Sequence, residues 1–310
     1  MTRVAAVDCG TNSIRLLVAD VDAASAELKD LDRRMEIVRL GQGVDRTGRL
    51  APEALERTFA ACRRYAAIIE RLGAGRTRFV ATSASRDAEN RADFVRGVED
   101  ILGVRPEVIS GDEEAALSFT GATKELTGRV PGPYLVVDIG GGSTEFVAGT
   151  DRVEAARSVD IGCVRLTERH HFADPPTPEQ IAATKADIAA ALDTAEAAVP
   201  LRDTTTLVGL AGSVTTIAGI ALNLPAYDTA ALHHARIPVD RVRDITHSLL
   251  TATHAERAAI PVMHPGRVDV IAAGALVLLS AMERTAAHEV VVSEHDILDG
   301  IAWSLALDPR

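Results

Sequence analysis

The chain has 310 residues, 47% hydrophobic and 25% charged, enough to bury a sizeable core and to divide into two domains. Its formal net charge of −11 works against general affinity for nucleic acid or anionic membrane, so a polyanionic ligand has to be drawn by local cations. Aromatic residues are 3% of the chain, with a single tryptophan, which leaves little for base-stacking platforms and argues against nucleic acid as main partner.

The N-terminus runs straight into an apolar strand, residues 4–8, without a charged-then-apolar leader, and a cytoplasmic protein is expected. That strand ends in Asp8, turns through Gly10, Thr11 and Asn12, and returns from Ser13 as residues 13–20. Arg15, just inside the return strand, is either one exposed cation or a guanidinium fork reaching phosphate oxygens. Residues 35–40 read as a third strand before the turn-rich stretch 41–48. Apolar positions at spacings of three and four, framed by Pro52 and Gly73, predict an amphipathic scaffold helix.

A strand at 78–81 then leads into a polar loop, 82–90, whose Arg86 is a candidate phosphate contact because ligands gather at the ends of strands in α/β sheets. A helix at 91–102 closes on Gly103. After a short strand at 107–109, a helix begins near 110 with Asp112 as expected N-cap. Glu114 lies in its first turn, where an acidic residue also simply suits the helix dipole.

Residues 134–145 carry the strongest signal. An apolar run ends in Asp138, followed by Gly140, Gly141, Gly142, Ser143, Thr144 and Glu145. The glycines supply backbone able to turn tightly and approach an anion, and successive N–H groups in such a turn form a concave anion site. A carboxylate beside a phosphate site usually serves a divalent cation, with magnesium the natural candidate. A triple glycine after a strand is also how a plain hairpin turns. The stretch around Asp8 repeats the pattern 130 positions earlier (138 − 8), so two halves of related build facing one ligand are expected. Neither stretch is a Walker loop, since no Gly-Lys-Ser/Thr follows.

Further on, strands are expected at 145–148 and 155–159, continued by Ile161-Gly-Cys-Val-Arg-Leu, then a packing helix at 178–199. A strand at 206–209 feeds a Gly-rich turn with Gly212, a third anion site in the making, capped by Ser213 or Thr215. Helices follow at 239–251 and 267–285, a strand at 289–293 and a final helix at 296–307 expected to pack back on the first domain. Within the penultimate helix, residues 270–282 are too few to cross a bilayer. Cys9, Cys62 and Cys163, an odd number without paired spacing, argue against a disulfide framework or zinc site. His170-His171 and His233-His234 have no partner at zinc-ligand spacing and are assigned to surface or capping roles.

These motifs together resemble the exopolyphosphatase and guanosine pentaphosphate phosphohydrolase (Ppx/GppA) family, within the superfamily of actin, sugar kinases and heat-shock chaperones. The likeness rests on Asp8-Cys-Gly-Thr-Asn-Ser-Ile-Arg-Leu, Thr82-Ser-Ala-Ser-Arg, Ile109-Ser-Gly-Asp-Glu-Glu-Ala, Val137-Asp-Ile-Gly-Gly-Gly-Ser-Thr-Glu145, Ile161-Gly-Cys-Val-Arg-Leu-Thr-Glu and Gly209-Leu-Ala-Gly-Ser-Val-Thr-Thr, in family order. It implies an α/β fold of two ribonuclease-H-like domains with an interdomain phosphate cleft, spanning 1–124 with the C-terminal helix 296–310, and 125–295.

By the same likeness, Glu114 matches a general base, and Glu145 a residue that positions water and metal. Asp8 and Asp138 would hold magnesium, or manganese; the turns at 10–13 and 140–144 would bind the terminal phosphoryl group, and Arg86 would lie in the phosphate cleft. The expected reaction is hydrolysis of the terminal phosphate of inorganic polyphosphate by a homodimeric enzyme. Longer members carry further helical domains thought to extend the substrate channel, so short chains are expected to be favoured here. Ser293 is followed by Glu294-His295-Asp296 where members often have Ser-Asp-Gly. Guanosine pentaphosphate hydrolysis, a kinase, and a non-catalytic nucleotide-binding scaffold are the rival readings.

Overall fold

In a computed structural model, which describes residues 1–307, alternation along one strand explains the first unit's layers. In β1 (Thr2–Cys9), Ala5, Val7 and Cys9 enter one apolar cluster while Val4 and Ala6 enter another, as the two-residue period of a strand requires. β2 (Ser13–Asp22) and β3 (Glu27–Ile37) add antiparallel to one side; β4 (Arg76–Ala81) and β5 (Glu107–Val108) add parallel to the other, giving the order β3-β2-β1-β4-β5.

One face is covered by α2 (Pro52–Leu72) and α4 (Arg91–Leu102), which follow the short helices α1 (Val44–Thr47) and α3 (Ser83–Asp87) in chain order. Tyr65 of α2 donates its hydroxyl to the Ile14 carbonyl at 3.0 Å, and Phe94 of α4 meets Phe79 edge-on at 6.1 Å. The helix α5 (Gly111–Thr123) ends this stretch.

The second unit repeats the build. β6 (Tyr134–Ile139), β7 (Thr144–Gly149) and β8 (Val153–Val159) are antiparallel. After α6 (Cys163–Arg169) and α7 (Pro178–Glu196), β9 (Thr206–Leu210) pairs parallel with β6. Then come α8 (Ala211–Ala221), α9 (Thr229–Leu232), β10 (Arg236–Pro238), α10 (Val239–Thr251), α11 (His254–Ala258) and α12 (Ile271–Thr285), and β11 (Glu289–Val292) pairs parallel with β9. The order β10-β11-β9-β6-β7-β8 contains the first unit's order, β8-β7-β6-β9-β11, plus one added strand. Both are the ribonuclease-H-like arrangement. The last helix, α13 (Ile297–Leu307), belongs to the first unit, where Ile297, Leu298, Ile301 and Trp303 cover the second face of its sheet. The units divide as residues 1–121 with those from Ile297 on, and Ala122–Asp296. Residues 308–310, part of the range expected for the first domain, lie outside the described residues.

Several elements differ from the sequence reading, among them the short helices α1, α9 and α11, which it did not assign. β3 begins at Glu27, not 35; its charged residues Lys29, Asp30, Asp32, Arg33 and Arg34 hide a strand that sits at the sheet edge. Part of the expected loop 82–90 is the helix α3. The segment after Ile161 is not strand but the helix α6, whose amides bond to the glycine turn. β10 was hidden by its brevity and by Pro238. Among the described residues, no helix is long and apolar enough to cross a membrane.

Candidate active site

The two glycine turns have one geometry. Gly10 donates its amide to the Ser13 carbonyl at 2.9 Å, and Gly140 donates to Ser143 at 3.0 Å. In each hairpin the residue two before the first glycine faces the residue two after the serine: Asp8 opposite Arg15, and Asp138 opposite Glu145.

Each turn is held from outside by its carbonyls. In the second, the first amides of α6 donate to it: Cys163 to the Gly140 carbonyl at 3.0 Å, Val164 to Gly141 at 2.9 Å and Arg165 to Gly141 at 3.1 Å. Arg165 Nε adds a bond to the Gly142 carbonyl at 2.6 Å. Because a trans peptide directs its N–H opposite to its C=O, carbonyls turned toward α6 leave the amides of Gly141, Gly142 and Ser143 turned away from it. Three successive amides so directed are an anion nest. Gly162 makes the approach possible, since a Cβ there would lie 2.2 Å from Gly141 backbone atoms. The first turn is held likewise: Val38 and Arg39 donate to the Asn12 carbonyl at 3.0 and 2.8 Å, and Gly41 to Thr11 at 2.9 Å.

The charges differ between the two. Arg15 spends its fork on Asp8, donating Nε and Nη2 to Oδ2 at 3.0 and 2.7 Å. In the second unit the equivalent position is Glu145, so two buried carboxylates stand directly opposite on neighbouring strands, with Cβ atoms about 5 Å apart. Ser158 donates its hydroxyl to Glu145 Oε1 at 2.7 Å. Opposed carboxylates beside an anion nest suit a hard divalent cation, which favours oxygen donors. The donor set therefore fits magnesium or manganese.

Glu114 is buried in the first turn of α5, and Arg86 Nη1 donates to its Oε2 at 3.1 Å and to the Ile109 carbonyl at 3.0 Å. Its neighbour Glu113 is exposed and accepts from Arg78 at 2.6 Å. The cap of α5 is Ser110, whose hydroxyl accepts the Glu113 amide at 3.2 Å, not Asp112. α5 is fixed against α13 by backbone contact, since a Cβ on Gly300 would lie 2.0 Å from the Leu117 carbonyl oxygen.

The third turn is unlike the expectation. No side chain caps α8; Ser213 and Thr215 lie within the helix, and Ser213 packs against Gly274, where a Cβ would come 2.3 Å from its hydroxyl. The positive φ falls on Ala211 (68°). Over Gly212 lies the guanidinium of Arg267, 2.2 Å from where a Cβ would stand, with Nη1 donating to Thr216 at 3.2 Å. Arg267 escaped the sequence reading because it arrives from 55 positions away (267 − 212).

His233 does have partners, contrary to expectation: Glu125 Oε2 is 3.3 Å from its Nε2 and 3.6 Å from His295 Nδ1. Their separation in sequence conceals them. His233 Nδ1 accepts the Glu294 amide at 3.2 Å, so the ring proton sits on Nε2 and is shared with Glu125. In that tautomer the trio is held by the His233–Glu125 hydrogen bond and by the contact of His295 with the same carboxylate. Burial works to raise the Glu125 carboxyl, but His295, His233 and His234 together hold it below its ordinary value.

The Ppx/GppA phosphatase family model matches residues 17–308. The chain is 50% identical over 317 aligned positions to exopolyphosphatase 2 of Mycobacterium tuberculosis, covering 99% of both chains. Among solved structures, an exopolyphosphatase-like protein shares 44% identity with a TM-score of 0.93, over 98% of this chain and 97% of the other. The Aquifex aeolicus Ppx/GppA protein shares 29% with a TM-score of 0.83, over 99% and 98%. A match that runs through both glycine turns at such identity leaves one conclusion: the chain belongs to the Ppx/GppA phosphatase family.

Proposed function

We propose that this protein hydrolyses the terminal phosphate of inorganic polyphosphate, favours short chains, and depends on magnesium or manganese. The observation that carries the reading is the buried pair Asp138 and Glu145 beneath a three-amide nest, in a chain half identical to a protein named as an exopolyphosphatase. Asp138 and Glu145 would hold the cation, with Asp8 a further carboxylate of the same kind. When bound, the cation neutralises phosphate oxygens and polarises water.

The remaining work falls to the protein. The amides of Gly141, Gly142 and Ser143 donate to the equatorial oxygens of the terminal phosphoryl group. Water attacks the terminal phosphorus, the bridging P–O bond breaks, and orthophosphate and a chain one unit shorter leave. Glu114 takes the proton from that water, and Arg86 holds its carboxylate in one orientation. Glu113, bound to Arg78, is spoken for.

The test is phosphate release from tripolyphosphate by protein stripped with EDTA. Release should be absent, then return with magnesium or manganese and not with metal-free buffer alone. Undiminished release in EDTA would end the metal assignment.

A further inference from the structure

On the first unit, away from the glycine turn in sequence, α4 and the edge strand β5 enclose a groove of about 580 Å³. Arg91, Arg96 and Arg105 line it over a floor that includes Val95, Pro106 and Val108. In a chain of net charge −11, three guanidinium groups on one groove are a local reversal of sign. Two carry exposed partners: Arg96 with Asp93 at 2.5 Å and Arg105 with Glu99 at 3.3 Å. Such exposed pairs are worth about 0–1 kcal/mol and exchange readily for a better anion. Among the described residues, no carboxylate lies within ion-pair distance of Arg91.

The groove's edge strand leads along the chain to the surroundings of Glu114. Val108 is followed by Ile109, whose carbonyl receives Arg86, the same arginine that holds Glu114. An anion lying along β5 would thus be led toward the carboxylate assigned as base.

We infer that the Arg91–Arg96–Arg105 groove is a second subsite for the polyphosphate chain, binding phosphates several units in from the reacting end. The occupant is a linear polyanion. Guanidinium forks match phosphate oxygens, and the absence of aromatic side chains among the lining residues gives a nucleotide base nothing to stack on. The inference rests on the proposed polyphosphate reading and adds a length dependence to it. Affinity should rise with chain length until the chain reaches the groove, then level off, while turnover stays fastest on short chains.

The test pairs equilibrium binding with turnover. Full-length protein carrying Arg91→Ala, Arg96→Ala and Arg105→Ala together is compared with wild type and with a triple Arg→Lys control. Substrates are tripolyphosphate and a chain of about twenty phosphates. The triple alanine variant should lose about ten-fold or more in affinity and in KM for the longer chain, with a flatter salt dependence. Its kcat and KM on tripolyphosphate should be unchanged, and the lysine control should recover part of the loss. Equal affinity of wild type and triple alanine variant for the longer chain would overturn the inference. If wild type hydrolyses neither substrate, the activity reading fails, while the binding arm still decides the groove.

Discussion

Asp138 and Glu145 stand directly opposite one another on β6 and β7, both buried, where the first unit has Asp8 opposite Arg15. Like charges so placed repel unless a cation lies between them. In EDTA, Asp138→Asn and Glu145→Gln should therefore each raise the thermal midpoint, a relief of about 0.5–1 kcal/mol. Both should lose the magnesium-induced rise in midpoint that wild type shows. Scanning calorimetry with and without magnesium checks both signs.

Glu114 and Glu113 are adjacent yet differently employed. Glu114→Gln should lower kcat by about 10² or more with little change in KM, the mark of a group acting in the transition state. Glu113→Gln should stay within a few-fold of wild type, because its partner Arg78 also holds Glu107 at 2.7 Å. Steady-state phosphate release separates the two.

Much of this was legible in the sequence, and the reasons are local. The repeated Asp-x-Gly turns, the helix framed by Pro52 and Gly73, and Val239–Thr251 follow from glycine, proline and apolar spacing. What stayed hidden is contact made at a distance. Nothing near Gly140 announces that Gly162 and the amides of α6 orient its turn, and nothing near Asp8 says that Arg15 turns inward to it. Ala211, not the neighbouring Gly212, takes the positive φ, while Gly212 is kept small by Arg267. The cluster of Glu125, His233 and His295 is assembled from three remote segments.

Gly162 offers a test of the nest without touching a charge. Gly162→Ala would bring a Cβ to 2.2 Å from Gly141, so a cost of about 1–3 kcal/mol and a loss of activity beyond ten-fold are expected. Gly75→Ala, with nothing within 4 Å, should change stability by no more than about 0.5 kcal/mol. Urea unfolding beside activity measures both.

Burial, and then the neighbouring His233, push His234 down to about 4. A histidine depressed in the fold stays neutral there while the unfolded chain takes up a proton, so its contribution to stability is present above about 6.5 and lost as pH falls toward 4. His234→Asn keeps a residue tolerant of the positive φ of 65° and removes the titration. The thermal midpoint of this variant should fall less between pH 6.5 and 4 than that of wild type.

The central claim is tested most directly by phosphate release from the purified protein with magnesium, offered tripolyphosphate, a long polyphosphate, guanosine pentaphosphate and ATP side by side. Steady release from polyphosphate, fastest on short chains and slowed about a hundred-fold or more by Glu114→Gln, is the expected result. Release confined to guanosine pentaphosphate, or ATP binding with no release from any of the four, would contradict it.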